Sequence, residues 1–401
     1  MHGHENELLI TTFLMLSAVG FGLLLRLLRQ PPLVGYILAG LALGPAGLGL
    51  VEYTDALSSL AELGVILLLF IIGIELSVKA FLRVLRPAVI ATLGQIICCI
   101  LLAALVSYYF KWTPAQTLLI GFILTLSSTA VALMVLRNLG LLRTHAGQVT
   151  VGVLVAQDIA VVPMLVFAES GQQVFDEWPL LTVRMLIAVM VLGALLVWIA
   201  RTTRLRLPLS GHFENNVELC VLFSLGACCF AASVTGFMGL SPVFGAFCAG
   251  LAISHTNLRK AVLDAAQPLQ SLLLVVFFVS VGLLVDIDYV SAHLGIVIGV
   301  TVAVLVIKTL LGWLLLTVGG EPAGRALVSS LITPQIGEFS FVLTASGVAS
   351  GIFSGFEADF LFAIIAASLF VSPVWSGILN YLVVRYRLHD PSSNPSFNTD
   401  T

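Results

Sequence analysis

The stretch Val153-Leu-Val-Ala-Gln-Asp-Ile-Ala-Val-Val-Pro163 puts a carboxylate, Asp158, in the middle of a run of apolar residues. An ionisable side chain at the centre of a bilayer costs about 2.5–3.5 kcal/mol on insertion scales, so such residues usually face a wet cavity or a partner. We therefore expect a cation and a proton to compete at Asp158. The adjacent Gln157 adds a neutral carbonyl oxygen, which suits weak coordination of a monovalent cation. The alternative is a structural aspartate paired with a backbone group or a lysine.

The composition excludes a soluble protein. Apolar residues make up 59% of the 401 residues and charged residues only 10%, whereas soluble domains carry about 25% charged residues. Apolar segments recur along almost the whole chain, and about 20 such residues cross a bilayer as a helix. The sequence thus predicts an all-α polytopic membrane protein that spans the lipid bilayer. It contains no catalytic triad or phosphate loop, indicates no cofactor and no enzyme activity, and has no basic run that would favour nucleic acid as a partner.

We predict about thirteen transmembrane helices, numbered here in chain order. They cover residues 8–28, 32–50, 58–77, 87–110, 115–136, 147–168, 181–200, 217–236, 241–256, 267–285, 292–317, 325–347 and 358–383.

The basic residues favour one orientation of these spans. Fifteen Lys and Arg residues follow odd-numbered spans, two follow even-numbered spans, and the last of the eighteen, Lys308, lies inside span eleven. Because basic residues collect in cytoplasmic loops, we expect the N-terminus outside and the C-terminus in the cytoplasm. The acidic N-terminus lacks the basic region of a cleavable signal peptide, so span one is expected to be retained.

A repeat underlies the spans. Pro32-Leu-Val-Gly-Tyr-Ile-Leu-Ala-Gly-Leu-Ala42 matches Pro242-Val-Phe-Gly-Ala-Phe-Cys-Ala-Gly-Leu-Ala252 at six of eleven positions with an offset of 210 residues, and Gly73 then falls opposite Gly282. Chance similarity of Gly/Ala-rich segments is the alternative for the first match alone. Six spans, one connector and six further spans give two six-helix copies of opposite orientation, an inverted repeat. The predicted units are a membrane transport domain at 1–383, with a first repeat at 1–170, a connector helix at 171–213 and a second repeat at 214–383, and a cytoplasmic polar tail at 384–401.

Two equivalent segments, Leu124-Thr-Leu-Ser-Ser-Thr129 and Ile332-Thr-Pro-Gln-Ile-Gly337, are where spans five and twelve would break. Pro334 removes a hydrogen-bond donor and Gly337 weakens the turn. In inverted-repeat transporters, broken helices meet near the midplane and bind ions there; the alternative is that the Ser and Thr side chains only bond their own helix. The predicted monovalent cation site consists of Asp158, Gln157, Ser127, Ser128 and Thr129, supported by Glu338, Gln335 and Thr333.

Lys308 is the second unmatched charge in a span. An anionic partner would keep it charged, and Asp158 is the expected partner, so that both residues take part in proton coupling. The alternatives are a permanent bridge between helices or a side chain that reaches the interface. For Glu338, capping of the helix that resumes after the break is favoured over ion binding.

Six short motifs occur together between residues 8 and 383. They are Pro32-Leu-Val-Gly-Tyr-Ile-Leu-Ala-Gly, Leu126-Ser-Ser-Thr-Ala130, Gln157-Asp-Ile-Ala160, Phe277-Phe-Val-Ser-Val-Gly282, Ile307-Lys308 and Gly337-Glu-Phe-Ser-Phe341. Together they resemble the membrane domain of the Kef potassium efflux systems, in the monovalent cation:proton antiporter superfamily, with its sodium/proton antiporter-like fold.

The resemblance implies a homodimer in the bacterial inner membrane, with spans one to three and eight to ten as a dimer-side scaffold and spans four to six and eleven to thirteen as a mobile core. It identifies Asp158 as the ion-binding carboxylate and Lys308 as the family's membrane lysine. Gln157 stands where electrogenic sodium exchangers have Asp, which implies electroneutral K⁺/H⁺ exchange by an elevator-like, alternating-access motion. A Na⁺/H⁺ exchanger of the same fold and a ligand-gated K⁺ channel are the alternatives.

The sequence departs from this family at two places. Kef proteins normally continue into a nucleotide- and glutathione-sensing domain, whereas this sequence has only the polar tail at 389–401. We expect the regulatory cytoplasmic domain to be absent from this chain, so ligand gating is not carried over. Thr333-Pro334-Gln335 replaces a plain Gly-rich break, which bears on cation preference.

Overall fold

The computed structural model describes residues 2–28, 30, 32–52, 54–76, 84–142, 144–171, 178–202, 216–238, 241–285 and 287–386. The predicted connector at 171–213 and polar tail at 384–401 are therefore described only in part. Seven of the basic residues used for the orientation lie outside the described residues: Arg29, Lys79, Arg83, Arg143, Arg204, Arg206 and Arg387.

The described residues form sixteen helices. They are α1 (His2–Leu27), α2 (Pro32–Leu43), α3 (Asp55–Glu75), α4 (Leu85–Phe110), α5 (Pro114–Thr125), α6 (Thr129–Asn138), α7 (His145–Glu169), α8 (Trp178–Arg201), α9 (Val217–Phe237), α10 (Pro242–Ser254), α11 (Arg259–Leu284), α12 (Ile287–Ala292), α13 (Leu294–Val318), α14 (Ala323–Ile332), α15 (Phe339–Ala349) and α16 (Gly355–Tyr386).

The all-helical class is confirmed. Among the described residues, seven helices are long and apolar enough to cross a membrane: α3, α4, α7, α9, α11, α13 and α16. Seven shorter apolar helical segments accompany them, among them α2, α5, α10, α14 and α15. The number of thirteen crossings stays a prediction.

Both predicted helix breaks are present. Span five divides into α5 and α6 around Leu126–Ser128, and span twelve into α14 and α15 around Thr333–Glu338. Local chemistry starts each half-helix of span five: a Thr113–Gln116 capping box precedes α5, and the Ser128 hydroxyl accepts a hydrogen bond from the Val131 backbone N–H of α6. Such caps satisfy the backbone donors that a helix leaves free at its start.

The largest differences from the prediction are two boundaries and one additional helix. Helix α11 begins at Arg259, eight residues before the predicted start, and continues through Pro268; its first turns bury Val262 and Ala266, so packing offsets the cost of the proline. Helix α2 ends at Leu43 instead of residue 50, because the chain turns back through Gly49, which has a positive φ of 64°. The short helix α12 was not predicted.

The helices pack in two groups. In the first group, α3 packs on α10 and α11, α2 packs on α1 and α11, and α9 packs on α10. In the second group, α4 packs on α5, α7 and α13, while α16 packs on α13, α14 and α15. Helix α8 contacts one helix of each group, α7 and α10. The first group consists of the helices of spans one to three and eight to ten, and the second of those of spans four to six and eleven to thirteen.

Paired glycines bring backbones of the first group into contact. A Cβ atom on Gly40 of α2 would lie 2.1 Å from a backbone oxygen of α11, and one on Gly282 of α11 would lie 2.1 Å from a backbone oxygen of α2. The same reciprocal contact joins α3 and α10, where Cβ atoms on Gly73 and Gly250 would lie 2.4 and 1.9 Å from the partner's backbone oxygens. Only residues without side chains permit such helix crossings.

Candidate functional site

The two breaks cross each other in the second helix group. Ser127 and Ile336 form an isolated antiparallel bridge, and the Gly337 N–H donates to the Leu126 carbonyl at 3.1 Å. A Cβ atom on Gly337 would lie 2.7 Å from the carbonyl carbon and oxygen of Ser127. The crossing therefore requires glycine at this position. It brings together the broken ends of the four half-helices α5, α6, α14 and α15.

Lys308 bonds backbone carbonyls that follow two half-helices. Its Nζ atom donates to the carbonyl of Leu126, which follows α5, at 2.7 Å and to that of Gln335, which follows α14, at 3.2 Å. Because the C-terminal end of a helix is electronegative, a buried ammonium is stabilised there. The predicted pairing with Asp158 is thus wrong for this structure: the lysine side chain, only 3% exposed, finds its acceptors in backbone carbonyls.

Carboxylates face the opposite, electropositive helix ends. The Glu338 carboxylate lies beside the Ser128 hydroxyl and the Ala130 backbone at the start of α6. Neither α6 nor α15 has an acidic residue in its first turn. The predicted capping of α15 is wrong, since the Glu338 side chain makes no capping hydrogen bond to that helix; its carboxylate is directed across the break to α6 instead.

Asp158 lies at the same crossing, near the middle of α7. Its side chain is 6% exposed, and the Thr129 hydroxyl at the start of α6 donates to the two carboxylate oxygens at 3.4 and 3.3 Å. Both distances are long for an O–H···O hydrogen bond. The carboxylate is therefore held loosely, with room for another ligand.

A cavity of about 640 Å³ separates the two helix groups and reaches this carboxylate. Polar side chains contribute to its lining at five positions: Asp158, Thr129, Glu338, Glu75 and Gln148. The remaining lining is apolar and comes from α3 and α11 on one side and from α6, α7 and α15 on the other. The cavity extends to the end of the bundle at which α3 ends and α7 begins, and Glu75 is exposed there.

Gln157 differs from its predicted role. Its Oε1 atom accepts a hydrogen bond from the Ser127 backbone N–H at 3.0 Å, and its Nε2 atom donates to Gln95 Oε1 at 2.9 Å. The side chain is 1% exposed and is not part of the cavity lining. Gln157 therefore positions the broken segment of span five and does not face the cavity.

The other predicted residues also hold the break together. The Ser127 hydroxyl donates to the Thr333 carbonyl at 2.7 Å, and the Gln335 amide donates to the Ser128 carbonyl at 3.4 Å. The Thr333 hydroxyl donates to Ser329 within α14 at 3.2 Å. All the predicted site residues lie at or beside the crossing, but only Asp158, Thr129 and Glu338 among them line the cavity.

Sequence reasoning missed several residues of the site. Gln95 in α4 completes the Gln157 contact, and a lone amide in an apolar span was a usable signal. The Ser340 hydroxyl donates to the Ile123 carbonyl of α5 at 2.8 Å, and the Ser368 hydroxyl accepts from the Ile336 N–H at 3.1 Å. No sequence pattern distinguishes these two serines from others in the spans.

The two helix groups touch at the end of the bundle away from the cavity mouth. The Ser241 hydroxyl, just before α10, donates to the Glu169 carboxylate at the end of α7 at 2.9 Å. Deeper in the molecule, the Phe278 ring of α11 meets the Phe341 ring of α15 edge to face, with centroids 5.9 Å apart. A polar contact and an aromatic contact thus link the groups where the cavity does not separate them.

Comparison with known proteins agrees with this arrangement. The model of the transmembrane sodium/hydrogen exchanger family matches residues 12–379. The chain belongs to the sodium/hydrogen exchanger family. It is therefore a multi-pass membrane protein of a family of cation/proton exchangers, which are transporters and not enzymes.

Two individual proteins show how far the likeness extends. The chain is 37% identical over 378 residues to the iron transporter MagA of Paramagnetospirillum magneticum. The aligned region covers 94% of this chain and 86% of that protein. The sodium proton antiporter MjNhaP1 of Methanocaldococcus jannaschii, solved at pH 8, superposes with a TM-score of 0.71 at 13% identity, over 96% of this chain and all of that chain. The second comparison shows that the fold is the antiporter fold.

Proposed function

We propose that this sodium/hydrogen exchanger family member is a secondary active antiporter that exchanges K⁺ for H⁺, one for one, at Asp158. The observation that carries the proposal is a buried carboxylate at the inner end of a cavity, beside two crossed helix breaks. An intramembrane carboxylate in such a place is functional by default.

The exchange follows from competition for one negative charge. Asp158 binds either a proton or a cation, and each neutralises it equally, so a complete cycle moves no net charge. Lys308 donates to the carbonyls of Leu126 and Gln335, not to Asp158. The helix ends therefore compensate the charge of Lys308 in both halves of the cycle. Lys308 does not take the place of the cation at Asp158, which supports a one-for-one ratio of K⁺ to H⁺.

The preference for K⁺ over Na⁺ is supported by the neutral residue beside the carboxylate. Gln157 occupies the position that is acidic in electrogenic sodium exchangers of the superfamily, and its amide is held by Ser127 and Gln95. The Kef-like motifs point the same way, and a Na⁺/H⁺ exchanger is the second candidate.

Alternating access would come from movement of the second helix group against the first. The cavity separates the groups at one end of the bundle, while the Ser241–Glu169 and Phe278–Phe341 contacts join them elsewhere. With the N-terminus outside, the cavity faces the cytoplasm of the bacterial cell. An elevator-like shift of α4–α7 and α13–α16 would carry Asp158 to the other side, with the first group as the scaffold of a homodimer.

An inverted repeat in this proposal is supported by the glycine contacts. An offset of 210 residues relates Gly40 to Gly250, and an offset of 209 relates Gly73 to Gly282. The contacts, however, join Gly40 with Gly282 and Gly73 with Gly250. The helix with the first glycine of each copy thus packs on the helix with the second glycine of the other copy. A two-fold axis relates two contacts in this way.

The contacts of Lys308 also relate the two copies of the repeat. The two carbonyls that accept hydrogen bonds from Lys308 belong to Leu126 and Gln335, which are 209 residues apart. In the alignment of Leu124–Thr129 with Ile332–Gly337, Leu126 falls opposite Pro334, so the two carbonyls lie within one residue of equivalent positions. Lys308 would therefore lie close to the axis of the repeat.

Proteoliposomes with a lumenal pH dye test the proposal. We expect K⁺ gradients to drive proton movement at a rate that an imposed membrane potential does not change, and Asp158→Asn to abolish it. Glu218→Gln makes the same chemical change at an exposed carboxylate in the first turn of α9 and should retain full exchange. Exchange that survives in Asp158→Asn would refute the assignment.

The cation panel separates the alternatives. A stronger response to Na⁺ or Li⁺ than to K⁺ would make the protein a sodium exchanger, and K⁺ currents without proton movement in single-channel recordings would make it a channel. Because one relative is named an iron transporter, Fe²⁺ belongs in the panel. We expect no Asp158-dependent proton movement with Fe²⁺, since the proposed ligands are oxygens and Fe²⁺ commonly takes imidazole or thiolate ligands as well.

A further inference from the structure

Glu338 has a buried oxygen with no partner. Its Oε2 atom is inaccessible and makes no hydrogen bond within the described part of the chain. A buried carboxylate oxygen loses its hydration on folding, so an unpaired one needs an explanation such as a bound ion or an ordered water. Helix capping does not supply it, since the side chain makes no capping bond to α15.

The backbone holds this carboxylate in place. Glu338 follows Gly337, which packs directly on the Ser127 backbone, and precedes the first residue of α15, Phe339. Phe339 is 3% exposed and so anchors the start of that helix. The backbone on both sides of Glu338 is therefore fixed, which keeps the base of its side chain at the crossing.

Glu338 shares its cavity with Asp158. Both residues and Thr129 line the same space. Most other oxygens at the crossing are already engaged: the Leu126 and Gln335 carbonyls by Lys308, and the Ser128 hydroxyl by the Val131 N–H. The oxygens that remain to receive a cation there come from Asp158, Thr129 and Glu338.

We propose that Glu338 is a second carboxylate ligand of the transported monovalent cation, which its carboxylate contacts either directly or across one water of the ion's hydration shell. The inference rests on the proposed exchange at Asp158 and adds a residue that sets cation affinity. Asp158 remains the group at which proton and cation compete. Glu338 contributes charge and an oxygen from the same side of the cavity, and the start of α6 lies beside it to balance the second negative charge.

The test compares Glu338→Gln with the wild type in proteoliposomes. The amide keeps the size of the side chain and removes the charge. We expect the KM for K⁺ to rise about tenfold, which corresponds to about 1.4 kcal/mol, while the maximal exchange rate changes less than about twofold because Asp158 is intact. Glu338→Asp, which keeps the charge on a shorter side chain, should give an intermediate KM.

A second readout separates binding from a structural role. We expect K⁺ to raise the melting temperature of the detergent-solubilised wild type, and Glu338→Gln to need about tenfold more K⁺ for the same rise. Glu218→Gln, an exposed carboxylate of α9, should match the wild type in both assays. An unchanged KM together with a lower melting temperature in the absence of K⁺ would make Glu338 a structural residue and overturn the inference.

Failure of this inference can be told from failure of the proposed function. If Asp158→Asn abolishes exchange while Glu338→Gln leaves the KM for K⁺ unchanged, only the second ligand is refuted. If Asp158→Asn retains exchange, the proposed function itself is refuted, and the inference falls with it.

Discussion

The Nζ atom of Lys308 lies 2.7 Å from the carbonyl oxygen of Leu126, the residue at which α5 ends. The same atom also reaches the Gln335 carbonyl, so one ammonium bonds carbonyls that follow both α5 and α14. Glu338 stands at the other pair of ends, beside the start of α6. The crossing thus has a positive group at its negative ends and a negative group at its positive ends, which makes two broken helices tolerable at bilayer depth.

Replacement of Lys308 by Met should lower the free energy of unfolding of the protein. The substitution leaves the buried Gln335 carbonyl without the Lys308 donor, while the Leu126 carbonyl keeps the Gly337 N–H. A buried group left without a partner costs about 1–3 kcal/mol. Thermal unfolding in detergent measures the loss. Lys308→Arg, which keeps the charge and the donors, should lose less.

A double-mutant cycle with Asp158→Asn tests whether Lys308 and Asp158 interact directly. Because Lys308 does not bond Asp158 in this structure, the effects of Lys308→Met and Asp158→Asn on stability should add to within about 0.5 kcal/mol. A much larger coupling energy would show that Lys308 and Asp158 form the ion pair that the sequence suggested.

Gln157 supports a prediction that separates positioning from ligation. Gln157→Ala removes the acceptor of the buried Ser127 N–H and the donor to Gln95. We expect a loss of about 1–3 kcal/mol in stability for the orphaned groups and, in the protein that remains folded, a KM for K⁺ within about twofold of the wild type. A raised KM with normal stability would instead identify Gln157 as a cation ligand.

The sequence predicted the breaks but not the contacts inside them. Pro334, Gly337 and the Ser127–Thr129 run depart from helix-forming composition, and so the position of each break was visible without a structure. Asp158 was visible for a similar reason, because a charge in an apolar span has a large cost. Which partner each group takes depends on the spatial crossing of segments about 200 residues apart.

The error about Lys308 has a physical origin. Charge pairing was inferred from two formal charges, Lys308 and Asp158, whereas the partners that Lys308 takes are partial charges on backbone carbonyls. Those carbonyls become free only after the helices break, and no residue type in the sequence records them. The same holds for the hydroxyls of Ser340 and Ser368, which bond backbone groups of α5 and of the break in span twelve.

Gly337→Ala should disrupt the crossing. Its Cβ atom would lie 2.7 Å from two backbone atoms of Ser127, which cannot yield as a flexible side chain can. We expect a loss of stability of about 1–3 kcal/mol or more from overpacking, together with loss of K⁺/H⁺ exchange. Melting temperature and proteoliposome exchange are measured on the same preparation.

Gly299→Ala is the matched control for that substitution. Gly299 lies within α13, and a Cβ atom there would have no atom within 4 Å. Alanine should be neutral or raise stability by about 1 kcal/mol, since glycine is the poorer helix former, and exchange should be normal. Equal effects of the two substitutions would contradict the close crossing.

The contact between Ser241 and Glu169 should stabilise the state in which the cavity is open at the opposite end of the bundle. It joins α7, which carries Asp158, to the start of α10 in the other helix group. Ser241→Ala and Glu169→Gln should each cost about 0.5–1.5 kcal/mol for the weakened hydrogen bond and should speed amide hydrogen exchange in the first turn of α10. The two substitutions remove the same interaction, so the double variant should differ little from either single variant. Additive effects would mean that the two side chains act separately, and the link between the helix groups would then have to lie elsewhere, for example at the Phe278–Phe341 ring contact.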